Sequence, residues 1–325
     1  MKTITGMILA ASMAVSSNLA SAETWTAYTF GPSEALPNVR GLTQVMDGIE
    51  EATDGEITFR FHLAGALPIK SSNITQAVGD GTIQFADDGF FQGNVPIAGL
   101  LRLPMLLQSE EEFQTAVDIM KPYVEAGFAK QGVVALGNFV FPFQVAFTKP
   151  QLTSLDEFAG KKMRVSSPEQ AAFVKQFGGI PVTLGGPEVP PALQRGTIDG
   201  VFTASAGGGR IWGDMLDFNY RIPLNYFDGV YIVNKDAFDA LSEEHQAAIR
   251  ETVERLAPET TALIASEEVT VTDKLRENGM TVTVPSDEEL ARASEKLAPY
   301  WEEWAENLGP DAVEALSKVR DAIGR

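Results

Sequence analysis

From Thr24 to Asn234 the chain alternates strand-like and helix-like hydrophobic periods, which limits it to the α/β class more firmly than any other feature. Thr24–Phe30 alternates polar and apolar residues, as a half-buried strand does. Leu36–Thr53 then carries Val39, Leu42, Val45, Met46, Ile49 and Ala52 on one helical face, and Asp54-Gly55 breaks it. The same periods give strands at Ile57–Phe61, Thr82–Ala86, Val133–Val140, Gln144–Thr148, Met163–Ser166, Ile198–Thr203 and Val230–Asn234. Helices are expected at Ser72–Gly79, at Glu110–Lys130 (kinked or split by Pro122) and from Pro168 to Phe177. From Asp236 onward the pattern is almost all helical. Ala237–Leu256 is interrupted by Pro258, and the next helix stops at Asn278-Gly279. Met280–Val284 is a last short strand, and Ser286-x-x-Glu289 is a capping box for a helix reaching Gly309-Pro310. With 325 residues the chain suits two domains. No Gly/Ser-rich tether divides it, so two sheets are expected, joined by ordered strands or by a long helix.

The chemistry that the composition permits is narrow. There is no cysteine, and His62 and His245 are the only histidines, which excludes disulfides, thiolate metal sites, a cysteine nucleophile and a His-rich metal centre. No G-x-S-x-G, P-loop or H-E-x-x-H motif occurs, and Gly207-Gly208-Gly209 reads as a flexible loop. No metal or organic cofactor is implied. With 44 acidic and 25 basic residues the net charge is −19, a surface that repels nucleic acid and anionic lipid. Lys2, the apolar run Met7–Val15 and Ala20-Ser21-Ala22 form an export signal, expected to be cleaved after Ala22. No later segment is long and apolar enough to cross a bilayer, so a periplasmic product without membrane insertion is expected.

The most specific stretch is Leu155–Thr203. Arg164 should end a strand, and Ser167, Pro168 and Glu169 suit the N-cap, N1 and first turn of the helix that follows. A guanidinium beside free helix N–H groups, at the edge where open α/β sheets bind ligands, suits a carboxylate. Ser166 lies at the same edge.

Leu155-x-x-Phe-x-Gly160-Lys-Lys-Met-Arg164-Val resembles a segment of the DctP-type solute-binding proteins of TRAP transporters. Gly178-Gly-Ile-Pro-Val182 and Glu188-Val-Pro-Pro-Ala-Leu193-Gln194-Arg-Gly196-Thr-Ile-Asp199-Gly200 resemble two further segments, in the family's order. Weaker matches at Thr53–Ile57, Gln76–Phe85 and Leu241–Gln246 extend the resemblance over nearly the whole chain beyond the leader.

The resemblance implies a two-lobed periplasmic-binding-protein-like α/β fold with the ligand cleft between the lobes. Two strands and a long kinked helix would span both. Residues 1–22 are then the signal peptide, 23–141 plus 229–269 lobe I, and 142–228 plus 270–325 lobe II. The family's carboxylate-binding arginine falls on Arg164. A second arginine found in many members falls on Gln144, and an asparagine on Thr203, departures that favour a monocarboxylate, aromatic or hydroxylated, over a dicarboxylate. The implied partners are a small organic acid and the small and large TRAP membrane subunits. A secreted enzyme or a sensor's ligand-binding domain on the same fold are the alternatives.

Topology puts Phe30, Asp87, Asp88, Phe90, Phe91, Phe141, Phe143 and Trp212 near the cleft, with about two of these aromatics expected to touch ligand and most of the others to be core. Asp87 and Asp88 either face the ligand's far end or cap the turn before Gly89.

Overall fold

A computed structural model describes residues 22–325; the leader expected over residues 1–22 lies, save for Ala22, outside the described residues. The first part of the chain forms β1 (Glu23–Thr29), α1 (Pro37–Ala52), β2 (Ile57–His62), α2 (Ile74–Gly79), β3 (Phe85–Asp88), α3 (Glu110–Ala129) and β4 (Val133–Phe141). Next come β5 (Val145–Thr148), β6 (Lys162–Val165), α4 (Pro168–Gln176), β7 (Ile180–Thr183), α5 (Val189–Arg195), β8 (Gly200–Thr203), α6 (Arg210–Trp212) and β9 (Phe218–Tyr220). The last part is β10 (Phe227–Asn234), α7 (Lys235–Asp239), α8 (Glu243–Glu277), β11 (Thr281–Thr283), α9 (Asp287–Leu308) and α10 (Pro310–Ile323).

Two sheets organise these elements. One has the order β2-β1-β3-β10-β4, with β10 antiparallel to both neighbours, and the other β11-β9-β5-β8-β6-β7. The chain crosses from the first sheet to the second between β4 and β5, and returns between β9 and β10. The two crossings pair with each other: Gln144 N donates to Asn225 O (2.8 Å), and Leu224 N donates to Gln144 O (3.1 Å). The two crossings are therefore short, ordered and hydrogen-bonded to each other rather than a loose tether.

The third connection is α8. Its 35 residues span about 52 Å at the usual helical rise of about 1.5 Å per residue. Ile249, Val253, Leu256 and Ile264 join the core of the first sheet, whereas Val271 and Leu275 join the core of the second. Close approach to α1 depends on Gly41 and Gly48, where an added Cβ would come within 2.4 Å and 2.9 Å of Thr260 and Thr252.

Several expectations need correction. Pro258 and Pro122 do not end their helices: α8 and α3 run through them, each losing the one N–H bond that proline removes while flanking residues pack on the sheets. The helix break lies earlier, where Ser242 caps α8 by accepting from His245 N (3.1 Å) and separates it from α7. The strand expected at Thr82–Ala86 begins at Phe85, so Asp87 and Asp88 are its last two residues rather than a turn after it. β7, β9 and α5 were not anticipated, being three to seven residues long.

Residues 270–325 do not all stay with lobe II. Ala293 and Leu297 of α9 pack in the second sheet's core, but Trp301, Trp304 and α10 pack with Leu100, Leu101 and Phe113 beside α3. Gly207–Gly209 is no flexible loop: it is buried, and a Cβ on Gly208 would come within 2.2 Å of the Trp212 ring.

Candidate functional site

The carboxyl ends of β1, β6 and β8 and the amino end of β10 meet at a small cavity of about 60 Å³ between the two sheets. That is the edge at which α/β sheets gather ligand-binding loops. The lobes touch around it. A Cβ on Gly186 would lie 3.2 Å from Pro32, one on Gly65 3.5 Å from Pro187, and one on Gly185 2.7 Å from the Ser71 hydroxyl. Glu267 of α8 pairs with Arg40 of α1 on one side and Arg210 of α6 on the other. Elements attached to the two sheets therefore meet on both sides of the cavity.

Arg164 is the only charged residue lining the cavity among the described residues. β6 delivers it at 4% exposure. Its Nε donates to Leu184 O (2.9 Å) and its Nη1 to Phe202 O (3.2 Å). These two bonds fix the guanidinium plane and leave Nη2 without a partner among the described residues. The guanidinium carbon lies 5.5 Å from the Trp212 ring centroid and 5.8 Å from that of Phe90. Burial pulls its pKa down to about 10, opposed by Glu188, so it stays charged at neutral pH. A buried cation with a free donor edge is unsatisfied until an anion arrives.

The remaining walls are mostly aromatic. Phe30, Phe90, Phe141, Phe227 and Trp212 line the cavity. The Phe30 ring lies 5.8 Å from both Phe90 and Phe227, in edge-to-face contacts. Behind Phe227, Arg102 sits 4.1 Å from the ring centroid and forms a buried ion pair with Asp228 (2.7 Å), which fixes that wall.

Gln144, Thr203 and Asn38 supply the polar points. Gln144 Nε2 donates to Pro142 O (3.2 Å), and Thr203 Oγ1 accepts from Gly208 N (2.8 Å). α1 opens at the cavity with Pro37 and no side-chain cap, so the first-turn N–H groups of a 16-residue helix lie at its wall.

Of the nine residues expected in the site, Arg164, Gln144, Thr203, Phe30 and Trp212 come together here, and four do not line the cavity. Ser166 turns its hydroxyl to Gln170 Oε1 (3.0 Å). Phe91 is core, 5.3 Å from the Phe128 ring, and Phe143 packs against Tyr226 with ring centroids 4.3 Å apart and tilted by 38°. Asp88 is fully buried, accepting from Thr75 Oγ1 (2.6 Å) and Phe90 N (2.7 Å).

The helix N-terminus at the cavity is that of α1, not of α4: no α4 residue lines it, although Ser167 does cap α4 by accepting from Gln170 N (3.3 Å). Asn38 and Phe227 were missed. Asn38 follows the β1–α1 loop, the first place to search once β1 ends at the ligand edge. Phe227 was hidden because β10 begins three residues before its clear apolar run.

Comparison with known proteins places these observations. A model of the bacterial extracellular solute-binding proteins, family 7 (DctP), matches residues 31–307. The ectoine-binding periplasmic protein of Halomonas elongata is 26% identical over 287 residues, covering 84% of this chain and 82% of that protein. The ectoine/5-hydroxyectoine-binding periplasmic protein of Ruegeria pomeroyi is 27% identical, covering 97% and 95%. Among solved structures, a Bordetella pertussis extracytoplasmic solute receptor binding pyroglutamic acid superposes with a TM-score of 0.86 at 23% identity, covering 92% of this chain and all of that one.

Proposed function

Because the chain belongs to family 7 of the bacterial extracellular solute-binding proteins, a family of receptors rather than enzymes, we propose that it captures a small monocarboxylate for a TRAP transporter. The single observation that carries the ligand class is the lone charge of Arg164 in a cavity without an acidic or a second basic residue. One carboxylate satisfies that charge. A second would be buried among phenylalanines with no cation to meet it, at a desolvation cost of several kcal/mol. Pyroglutamic acid, which the Bordetella receptor binds, has one carboxyl on a compact ring, consistent with the charge and the aromatic walls of this cavity.

The mechanism follows from the two-sheet frame. In the open form the ligand carboxylate meets Arg164 on the second sheet's side. Closure about the paired crossing strands brings Phe30, Phe90 and the α1 N-terminus over it and expels water, which strengthens the charged hydrogen bonds. The ligand favours closure by as much as it binds the closed form better than the open one. The closed form then offers the membrane subunits a surface the open form lacks. Residues 1–22 serve in this reading as the export signal, removed after Ala22.

A thermal-shift panel tests the ligand class. Pyroglutamate and other ring monocarboxylates are expected to raise Tm by roughly 5 °C at a hundredfold excess over Kd. Succinate, malate and fumarate are expected to leave it unchanged, and a preference for those diacids would refute the reading.

A further inference from the structure

Asn38 lines the cavity, is fully buried, and has one end of its amide tied down. Its Nδ2 donates to Asp87 Oδ2 (3.0 Å), while its Oδ1 has no partner. A carboxylate can only accept, so the ionised Asp87 fixes which way the amide lies. Asp87 is itself held: its Oδ1 accepts from Phe30 N (3.1 Å), and it is fully buried behind the cavity wall. A buried amide carbonyl is costly to leave without a donor. No described protein group supplies the donor.

We infer that Asn38, oriented by Asp87, selects ligands that bring a hydrogen-bond donor, N–H or O–H, to the first sheet's side of the cavity. This rests on the monocarboxylate reading and adds a second recognition point to it: Arg164 takes the carboxylate, and Asn38 Oδ1 takes the donor. Asp87 and Asp88 were expected either to face the ligand or to cap a turn. Asp88 does hold the turn, through Phe90 N. Asp87 would act one residue removed, as a positioning residue that never touches the ligand. A site built to receive a donor discriminates strongly against an analogue without one, since the acceptor then stays unpaired.

The test uses two isosteric pairs at pH 8: L-pyroglutamate against its lactone counterpart 5-oxotetrahydrofuran-2-carboxylate, and pyrrole-2-carboxylate against furan-2-carboxylate. Each pair differs at the ring N–H. In the unmodified protein the N–H member of whichever pair binds is expected to bind at least 10-fold tighter by calorimetry. Asn38→Leu should bring the two members within about twofold, the unpaired acceptor being gone.

Asp87→Asn is the second variant, useful if Asn38→Leu does not fold. Its amide can still accept from Phe30 N while donating Nδ2–H to Asn38 Oδ1. That turns the Asn38 NH2 towards the cavity, so the preference should vanish or reverse towards the ring-oxygen member. Equal binding of both members by the unmodified protein would overturn the inference, as would a preference that survives in either variant. Failure of all four acids, and of every other monocarboxylate tried, would instead overturn the monocarboxylate reading on which it stands.

Discussion

Arg164→Lys is expected to weaken ligand binding roughly 10- to 1000-fold, the range for losing charge-assisted hydrogen bonds of about 1.5–3 kcal/mol or somewhat more. The substitution keeps the positive charge, so the loss isolates the geometry. Arginine here does three things at once. Nε holds Leu184 O, Nη1 holds Phe202 O, and Nη2, without a described protein partner, is left for the ligand at the cavity wall. A lysine ammonium has three donors on a flexible stem and no fixed plane, so it cannot hold both carbonyls and still present a flat, two-pronged edge. It also alters the cation–π contact with Trp212, whose ring centroid lies 5.5 Å from the guanidinium carbon. Calorimetry with the acid that gives the largest thermal shift checks this. Affinity within threefold of the unmodified protein would remove Arg164 from the site.

The second large effect is on stability against pH. Burial pushes Asp87 up to about 7 and Asp88 up to about 6, against the opposing hydrogen bonds from Thr29, Asn38, Thr75 and the backbone. In the unfolded chain both return to the ordinary carboxylate range. Between that range and the folded value the native state binds protons that the unfolded state does not, so stability falls as pH rises. From pH 5.5 to pH 7, Asp87 alone accounts for about 1.5 kcal/mol of that fall, the slope of about 1.4 kcal/mol per unit flattening as its folded value is approached. Burial raises Glu169 too, which adds in the same direction. The surface carboxylates with lowered values, such as Glu157 and Glu314, are held below the ordinary carboxylate range by their hydrogen bonds, outside this window. Urea titrations at pH 5.5, 7 and 8 should therefore show the protein most stable at the acid end, and Asp87→Asn should flatten the slope. A stability that rises steadily from pH 5.5 to 8 would contradict the assignment.

Much of this arrangement was legible in the sequence because two signals there are local. The strand-turn-helix grammar around Arg164 comes from Gly160, the apolar alternation and the Ser167-Pro168 cap, all within a few residues. The alternation of periods also placed β1, α1 and most of the two sheets within a residue or two. What escaped depends on contacts distant in sequence. Whether Pro258 breaks a helix is decided by what packs beside it, not by proline's own preference. Ser166 and Phe91 have suitable neighbours in sequence, yet Gln170 and Phe128 claim them in space. Asn38 carries no signal by itself: its role depends on Asp87, 49 residues away. The C-terminal helices cross to α3 because Trp301 and Trp304 find an apolar surface there that the second sheet does not offer.

Trp212 has a practical consequence for following the protein at work. Of the four tryptophans, Trp25, Trp301 and Trp304 are locked in packed cores, and Trp212 alone borders the cavity, with the Arg164 guanidinium over its ring. An indole excited state responds to nearby charge, and an arriving carboxylate neutralises the cation that polarises this one. The protein thus carries its own optical gauge of occupancy. Stopped-flow emission can time the arrival and escape of an unlabelled acid against three constant emitters, without a dye that would prop the lobes apart.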